Sequence, residues 1–268
     1  MICSLSYAGI SRCSAWRSKR LRLLAQDEGV EQFRVYGFIV GLSVTIMVVC
    51  DSLVYKTLDI YGLKITASGI VFSLCYLLST VSTEVYGYKL GGRTVWILVV
   101  CQTFFVLIIN AFALLQPDNN EISKQYYLLF NEFWRVMVGT WISVPASYFC
   151  NGFVVSRMKV FFAGRFFFIR YVIASMLAQA VLLTTAYPIS LSSRYSGQEL
   201  LNIIATTWSY KVFVSIALLP VGYYLVGVVK RIEKTDYFDW SVSYNPLAVF
   251  KEDGEDVKRN KYATEEGQ

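Results

Sequence analysis

Histidine is absent from the 268 residues of this chain. That absence excludes serine–histidine intramembrane proteases, zinc peptidases built on paired histidines, and haem proteins with histidine ligands. Charge is scarce as well: Asp, Glu, Lys and Arg make up 16% of the residues, against about 25% in an ordinary soluble domain. There is no glycine-rich phosphate loop, so the chain does not hydrolyse ATP by itself. Cys3, Cys13, Cys50, Cys75, Cys101 and Cys150 are scattered, and no pair has metal-ligand spacing. Four of them fall in apolar stretches, where cysteine behaves as a small apolar side chain. No disulfide framework, metal site or cofactor is indicated. Without histidine, and with no nucleophile or paired-carboxylate constellation, no catalytic residue is assigned and the chain does not read as an enzyme.

What the sequence has in abundance is hydrophobic length. Hydrophobic residues make up 55% of the chain and aromatic residues 16%. They gather in six runs, at 35–55, 67–86, 95–115, 133–155, 168–191 and 203–229. Each has about the 20 residues a helix needs to cross a hydrocarbon core about 30 Å thick. A chain inside lipid must satisfy its own backbone hydrogen bonds, so runs of this length are helices. The expectation is an all-α, polytopic integral membrane protein, a bundle of six transmembrane helices.

The formal charge of +6 points to orientation rather than to nucleic acid. Basic residues cluster in alternate gaps: Arg12, Arg17, Lys19, Arg20, Arg22 and Arg34 before the first run, then Lys89 and Arg93. The pattern continues with Arg157, Lys159, Arg165 and Arg170, and with Lys230, Arg231 and Lys234 at the end. The other gaps hold only Lys56 and Lys64, Lys124, and Arg194. Cytoplasmic loops are enriched in Lys and Arg, so both termini are expected in the cytoplasm. Three segments follow: a basic cytoplasmic leader at 1–34, a transmembrane domain at 35–229 and a charged cytoplasmic tail at 230–268. The leader lacks a clean signal-peptide pattern. It reads as a disordered basic segment, with a surface helix over 18–24 as the alternative. The tail beyond 237 is polar, mixed in charge and expected to be mobile.

Function then depends on the polar groups inside the bundle. The string Tyr-Leu-Leu-Ser-Thr-Val-Ser-Thr-Glu-Val-Tyr-Gly-Tyr-Lys occupies 76–89. Tyr76, Ser79, Thr80, Thr83 and Gly87 share one helical face, and Glu84 lies one step round. Such a stripe faces other helices or a wet cavity, and helix packing by small hydroxyl residues is the plain alternative. Asp51, Arg135 and Lys211 fall at similar depth towards the outer side, which permits a shared cluster; snorkelling is the alternative for the two cations. Gln179 lies near the middle of the fifth run. Pro145, Pro188 and Pro220 interrupt the fourth, fifth and sixth, as kinks or as breaks that expose backbone to a ligand.

The 76–89 string resembles the signature of the queuosine precursor transporter family, also called the vitamin uptake transporter or YhhQ-like family, which reads Tyr-Leu-Leu-Ser-Asp-x-x-Thr-Glu-Val-Tyr-Gly-Tyr. The resemblance covers most of the chain. Asp51 and Lys56 stand where that family usually has Asn and Lys. Arg135 resembles its arginine opening the fourth span, and Arg170, Ser175 and Gln179 match part of its Arg-x-x-x-Ser-x-x-x-Ser-Gln stretch. Tyr210-Lys211-Val212, Pro220 and Asn245-Pro246 are similar in order and spacing to its last helix and tail. Thr80, Asn151 and Leu182 stand where the family carries Asp. The resemblance implies import of 7-cyano- or 7-aminomethyl-7-deazaguanine across the inner (cytoplasmic) membrane. It implies a substrate site drawn from Tyr76, Ser79, Thr80, Thr83, Glu84, Asn151, Ser175 and Gln179, with Asp51, Arg135, Arg170 and Lys211 as structural or gating charges. The implied partners are a 7-deazaguanine-type base and the lipid bilayer, with no nucleic acid and with a homo-oligomer left open. Three alternatives remain: a same-fold carrier of another nucleobase-like or vitamin substrate, the substrate-binding subunit of an ATPase-energised importer, and a membrane enzyme or scaffold.

Overall fold

The computed structural model describes residues 33–54, 56–60, 63–115, 120–131, 133–191, 196–251 and 257–262. The leader with its 18–24 segment, Cys3, Cys13, Arg194 and the acidic run 252–256 lie outside the described residues. From residue 35 onward the described chain is mainly helical, with helices α1 (Tyr36–Ser52), α2 (Ala67–Tyr86), α3 (Tyr88–Ala113), α4 (Glu121–Phe130), α5 (Phe133–Phe161), α6 (Phe167–Leu191) and α7 (Gly197–Glu233). Strands β1 (Thr57–Ile60) and β2 (Leu63–Thr66) pair antiparallel between α1 and α2. After α7, β3 (Tyr237–Ser241) pairs antiparallel with β4 (Val257–Asn260), and a 3-10 turn (Ala248–Phe250) lies between them.

Among the described residues four helices are long and apolar enough to cross a membrane: α2, α3, α6 and α7. The α1 helix is apolar but has 17 residues. The α5 helix has 29 residues and mixes in Arg135, Asn151, Arg157 and Lys159. The protein is therefore an all-α multi-pass membrane protein. The helices α5, α6 and α7 run on through Pro145, Pro188 and Pro220, so none of the three is broken there.

The α2 helix is the axis of the bundle. It packs against α1, α3, α5 and α7, and 72% of its most apolar stretch is buried, against 28% for α3 and 22% for α7. Its hydroxyl stripe thus has protein on every side. The outer faces of α3 and α7 instead present Val100, Phe104, Leu107 and Phe112, and Phe213, Ile216 and Tyr223, all exposed. With no polar partner in the fold, such faces suit a lipid environment.

Three local features depart from the sequence reading. The basic gap expected at 87–94 is not a loop. Gly87 alone separates α2 from α3, at φ +83° and ψ 174°, a backbone conformation reserved almost wholly for glycine. Lys89 and Arg93 therefore lie in the first turns of α3. Second, the gap before α5 contains the amphipathic α4, started by Asn120, whose side chain accepts from Ile122 N–H at 3.2 Å. None of the α4 side chains is buried.

Third, the tail expected to be mobile is docked as far as Lys251. Asp239 Oδ2 accepts from Tyr88 N–H at 2.9 Å and from Ser156 Oγ at 2.7 Å, capping α3 from a distant part of the chain. Along α3, Lys89 donates to Lys251 O at 2.8 Å, Arg93 to Val249 O at 2.9 Å and Trp96 to Pro246 O at 2.9 Å. Val249 is fully buried, in space left by Gly92, where a Cβ would come within 2.7 Å of it. Tyr244 packs edge-on against Tyr88 and Phe153. Burial raises its phenol above the ordinary tyrosine value, an effect that Ser156 and Arg157 partly oppose. Local composition alone marks this segment as solvated; the buried anchors Val242 and Val249 find their partners only once the bundle has formed.

Candidate functional site

Polar groups along α2 meet their neighbours in layers. Nearest the β1–β2 hairpin is a cavity of about 120 Å³. Its wall combines Asp51 from α1, Thr66 and Ser68, Phe72 from α2, Thr140 and Ser143 from α5, Leu182 and Tyr187 from α6, and Lys211 from α7. Its volume is of the order of the roughly 150 Å³ engineered cavity that takes up benzene, the scale of a small ring compound.

The cavity's two charges are deeply buried. Asp51 is 6% exposed and Lys211 4%. Gln102 of α3, which donates to Thr140 Oγ1 at 3.1 Å, is a polar neighbour of the Asp51 carboxylate, while Asp51 Oδ2 has no hydrogen-bond partner. The Lys211 ammonium lies 5.0 Å from the centre of the Phe72 ring. Room for this side chain comes from Gly69, where a Cβ would run into the Tyr210 hydroxyl and approach Lys211 Cε. The shared cluster expected for Asp51, Arg135 and Lys211 is not what forms. Asp51 and Lys211 line one cavity without an ion pair between them, and Arg135 does not line it. Its guanidinium lies 5.5 Å from the Trp134 ring. Equal depth did not fix the direction in which Arg135 points round α5.

An aromatic floor closes the cavity's lower side. Phe72, Tyr76 and Tyr148 form a triangle with ring centres 5.2–6.2 Å apart, and Tyr76 donates to Ala178 O at 3.3 Å. Beneath it Asn151 donates to Ser79 Oγ at 3.3 Å and Thr80 Oγ1 at 3.2 Å, tying α5 to α2. Gln179 of α6 donates to Ser215 of α7 at 2.8 Å, and Ser175 is fully buried on the same helix. Thr83 fills the space below Gly91, where a Cβ would fall 2.6 Å from its hydroxyl. The structure thus brings Tyr76, Ser79, Thr80, Thr83 and Asn151 into one seam between α2 and α5, but the seam is tightly packed. None of the eight residues expected at the substrate lines the cavity.

The lowest layer is a buried ion network. Arg170 grips both carboxylate oxygens of Glu84, at 2.5 and 3.2 Å. Lys230 Nζ lies 3.1 Å from Glu84 Oε1 and 2.8 Å from Asp236 Oδ1. Lys159 pairs with Asp236 at 2.7 Å and donates to the carbonyls of Glu84 and Tyr237. Three cations therefore share two carboxylates, joining α2, α5, α6, α7 and the docked tail. Arg170, expected as a structural or gating charge, is fully buried against Glu84. Glu84, expected among the substrate residues, has its carboxylate engaged by protein cations.

Sequence reasoning missed Lys159, Lys230 and Asp236 as partners, although the alternation of basic gaps had set both lysines at the level of Glu84. It also missed Gln102, Thr140, Ser143 and Tyr187 around the cavity. Isolated polar residues in apolar helices carry little signal until packing shows which face is buried.

Comparison with known proteins gives this geometry its context. A family model described as "Putative vitamin uptake transporter" matches residues 66–225. The "Probable queuosine precursor transporter" of Bacillus subtilis (strain 168) is 22% identical over 190 residues, covering 70% of this chain and 83% of that protein. No solved structure matches the chain. The matched segment runs from the end of β2 through most of α7 and takes in most of the helical wall around the cavity, together with the seam and Glu84. On that extent of agreement the chain belongs to the vitamin uptake transporter family, as a multi-pass membrane transporter and not an enzyme.

Proposed function

We propose that this protein imports queuosine precursors, the 7-cyano and 7-aminomethyl forms of 7-deazaguanine, across the cytoplasmic membrane. The observation that carries this reading is the small cavity inside the bundle, with aromatic and aliphatic walls and a few polar groups converging on it. Small-molecule sites are mostly apolar with a handful of placed polar groups, and Phe72, Val144 and Leu182 supply apolar wall for a flat heterocycle. The name of the Bacillus subtilis relative supports the same substrate class.

In this reading the bundle has six crossings, α1, α2, α3, α5, α6 and α7, with both termini in the cytoplasm. At 1.5 Å per residue, α1 is about 25 Å long and spans with the help of the flanking hairpin; α5 exceeds the bilayer thickness. The cavity then lies towards the outer face and the Glu84 network towards the inner one. The seam of Tyr76, Ser79, Thr80, Thr83 and Asn151 is the route a substrate follows when α2 and α5 part, its hydroxyl and amide groups exchanging partners with the base, while Ser175 and Gln179 on α6 flank that route. Glu84 and Arg170 hold the inner end together.

Complementation tests the proposal. A host unable to make queuosine precursors, supplied with either compound, is expected to recover queuosine-modified tRNA when it carries this chain. No recovery with either compound, at normal protein level in the membrane, rejects the substrate. Uptake by proteoliposomes holding this chain alone separates an independent carrier from the binding subunit of an energised importer.

A further inference from the structure

We propose that Asp51 and Lys211 are the ligand-reading groups of the cavity, and that together they select a neutral planar heterocycle. Its edge offers adjacent N–H donors to the carboxylate and a carbonyl-type acceptor to the ammonium. The inference rests on the transport reading and names the recognition chemistry of that site. Three observations carry it.

The first is the state of the carboxylate. Asp51 is buried on the last turn of α1, and its Oδ2 has no hydrogen-bond partner. A buried polar atom without a partner is costly and is rarely left so in a native protein. The second is the ammonium across the cavity. Lys211 is equally buried and has a ring face for company, with no ion pair among the described residues. Two opposite charges serving the fold alone are best satisfied by direct pairing, as Glu84 and Arg170 are in the layer below. Here both line an open space and do not meet. The third is the rest of the wall. Asp51 and Lys211 are the only charged residues lining the cavity, so its formal charges cancel and a neutral ligand fits best. Thr140, Ser143 and Ser190 add hydroxyls, which donate or accept as required, and leave the discrimination to the charged pair.

A carboxylate accepts hydrogen bonds and cannot donate them; an ammonium donates and cannot accept. A guanine-type edge offers a ring N–H and an exocyclic amine beside a carbonyl, which satisfies both. An adenine-type edge offers one amine donor beside a ring-nitrogen acceptor, which sets an acceptor against one carboxylate oxygen and leaves that oxygen unpaired. A site built this way rejects the wrong edge more strongly than it rewards the right one.

The test measures binding to the purified full chain by thermal shift and equilibrium titration. The probes are 7-cyano-7-deazaguanine, its analogue lacking the 2-amino group, guanine and adenine. Wild type is expected to prefer the 2-amino probe over its 2-deamino analogue by about tenfold or more. In Asp51→Asn that ratio falls to within about threefold. Lys211→Met weakens both of those probes by about tenfold and leaves their ratio unchanged, since both keep the carbonyl. Melting without ligand checks that each variant folds; Asp51→Glu, which restores the acceptor, recovers part of the preference if Asp51→Asn proves unstable. A folded Asp51→Asn with the wild-type ratio overturns this inference and leaves the transport reading standing. Wild type that binds adenine best also overturns it, and wild type that binds none of the probes overturns both.

Discussion

Glu84 shows how a single carboxylate is tied into the fold at the end of a membrane helix. Its oxygens meet Arg170 and Lys230, and Lys159 reaches its main-chain carbonyl. Removing one member of such a buried set leaves charges without compensation, a loss of about 3–5 kcal/mol. Glu84→Gln is therefore expected to lower the detergent melting temperature sharply, and the charge swap Glu84→Arg with Arg170→Glu to recover part of it. A melt within a degree of wild type for the single variant would show that the network is not structural. Asp236→Asn should cost less, because its side chain is 11% exposed and water can replace part of what it loses. The position of Glu84 at the C-terminal end of α2 was legible in the sequence. The identity of its partners was not, because Arg170, Lys230 and Asp236 lie 86, 146 and 152 residues away in the chain.

Among elements, the docked tail carries the strongest departure from local sequence. It binds α3 largely through backbone carbonyls, at Pro246, Val249 and Lys251, so its side-chain composition says little about its docking. Asp239 caps Tyr88 as an N-cap residue would, from 151 residues away. Asp239→Ala is expected to cost about 0.5–2 kcal/mol and to speed amide hydrogen exchange in the first turn of α3; unchanged exchange there would argue against the cap. Gly92→Ala places a methyl within 2.7 Å of Val249 and 2.9 Å of Phe149. The expected result is a displaced tail, read as faster tryptic cleavage after Arg259 in the intact protein, while cleavage at the wild-type rate would show that Val249 can shift aside. The Gly87 corner has the same logic: glycine in the sequence permits a sharp turn, but only the capping contact shows that the two helices meet there with no loop.

Across the whole molecule, the hairpin and the docked tail lie at opposite ends of the bundle, which makes the orientation testable. In a cysteine-free background, Lys56→Cys is expected to react with an impermeant maleimide on intact cells, and Arg165→Cys only after permeabilisation. Labelling of both from one side would contradict the assigned topology. The exposed apolar faces make a second prediction. Phe213 is 73% exposed, and Phe213→Asp is expected to cut membrane-inserted protein, since a central Asp costs about 2.5–3.5 kcal/mol on insertion; undiminished insertion would place Phe213 away from lipid. The sequence by itself determined the membrane class, the helices to within a few residues for α2 and α6, and an inward-facing polar stripe on α2. Those features follow from hydrophobic length and helical period, which are local properties of the chain. Only the tertiary structure decided that the stripe is packed shut, that the open space lies above it between Asp51 and Lys211, and that the tail caps α3. Each depends on which side chains from remote segments reach the same few ångströms, and helix rotation and long-range closure set that outcome.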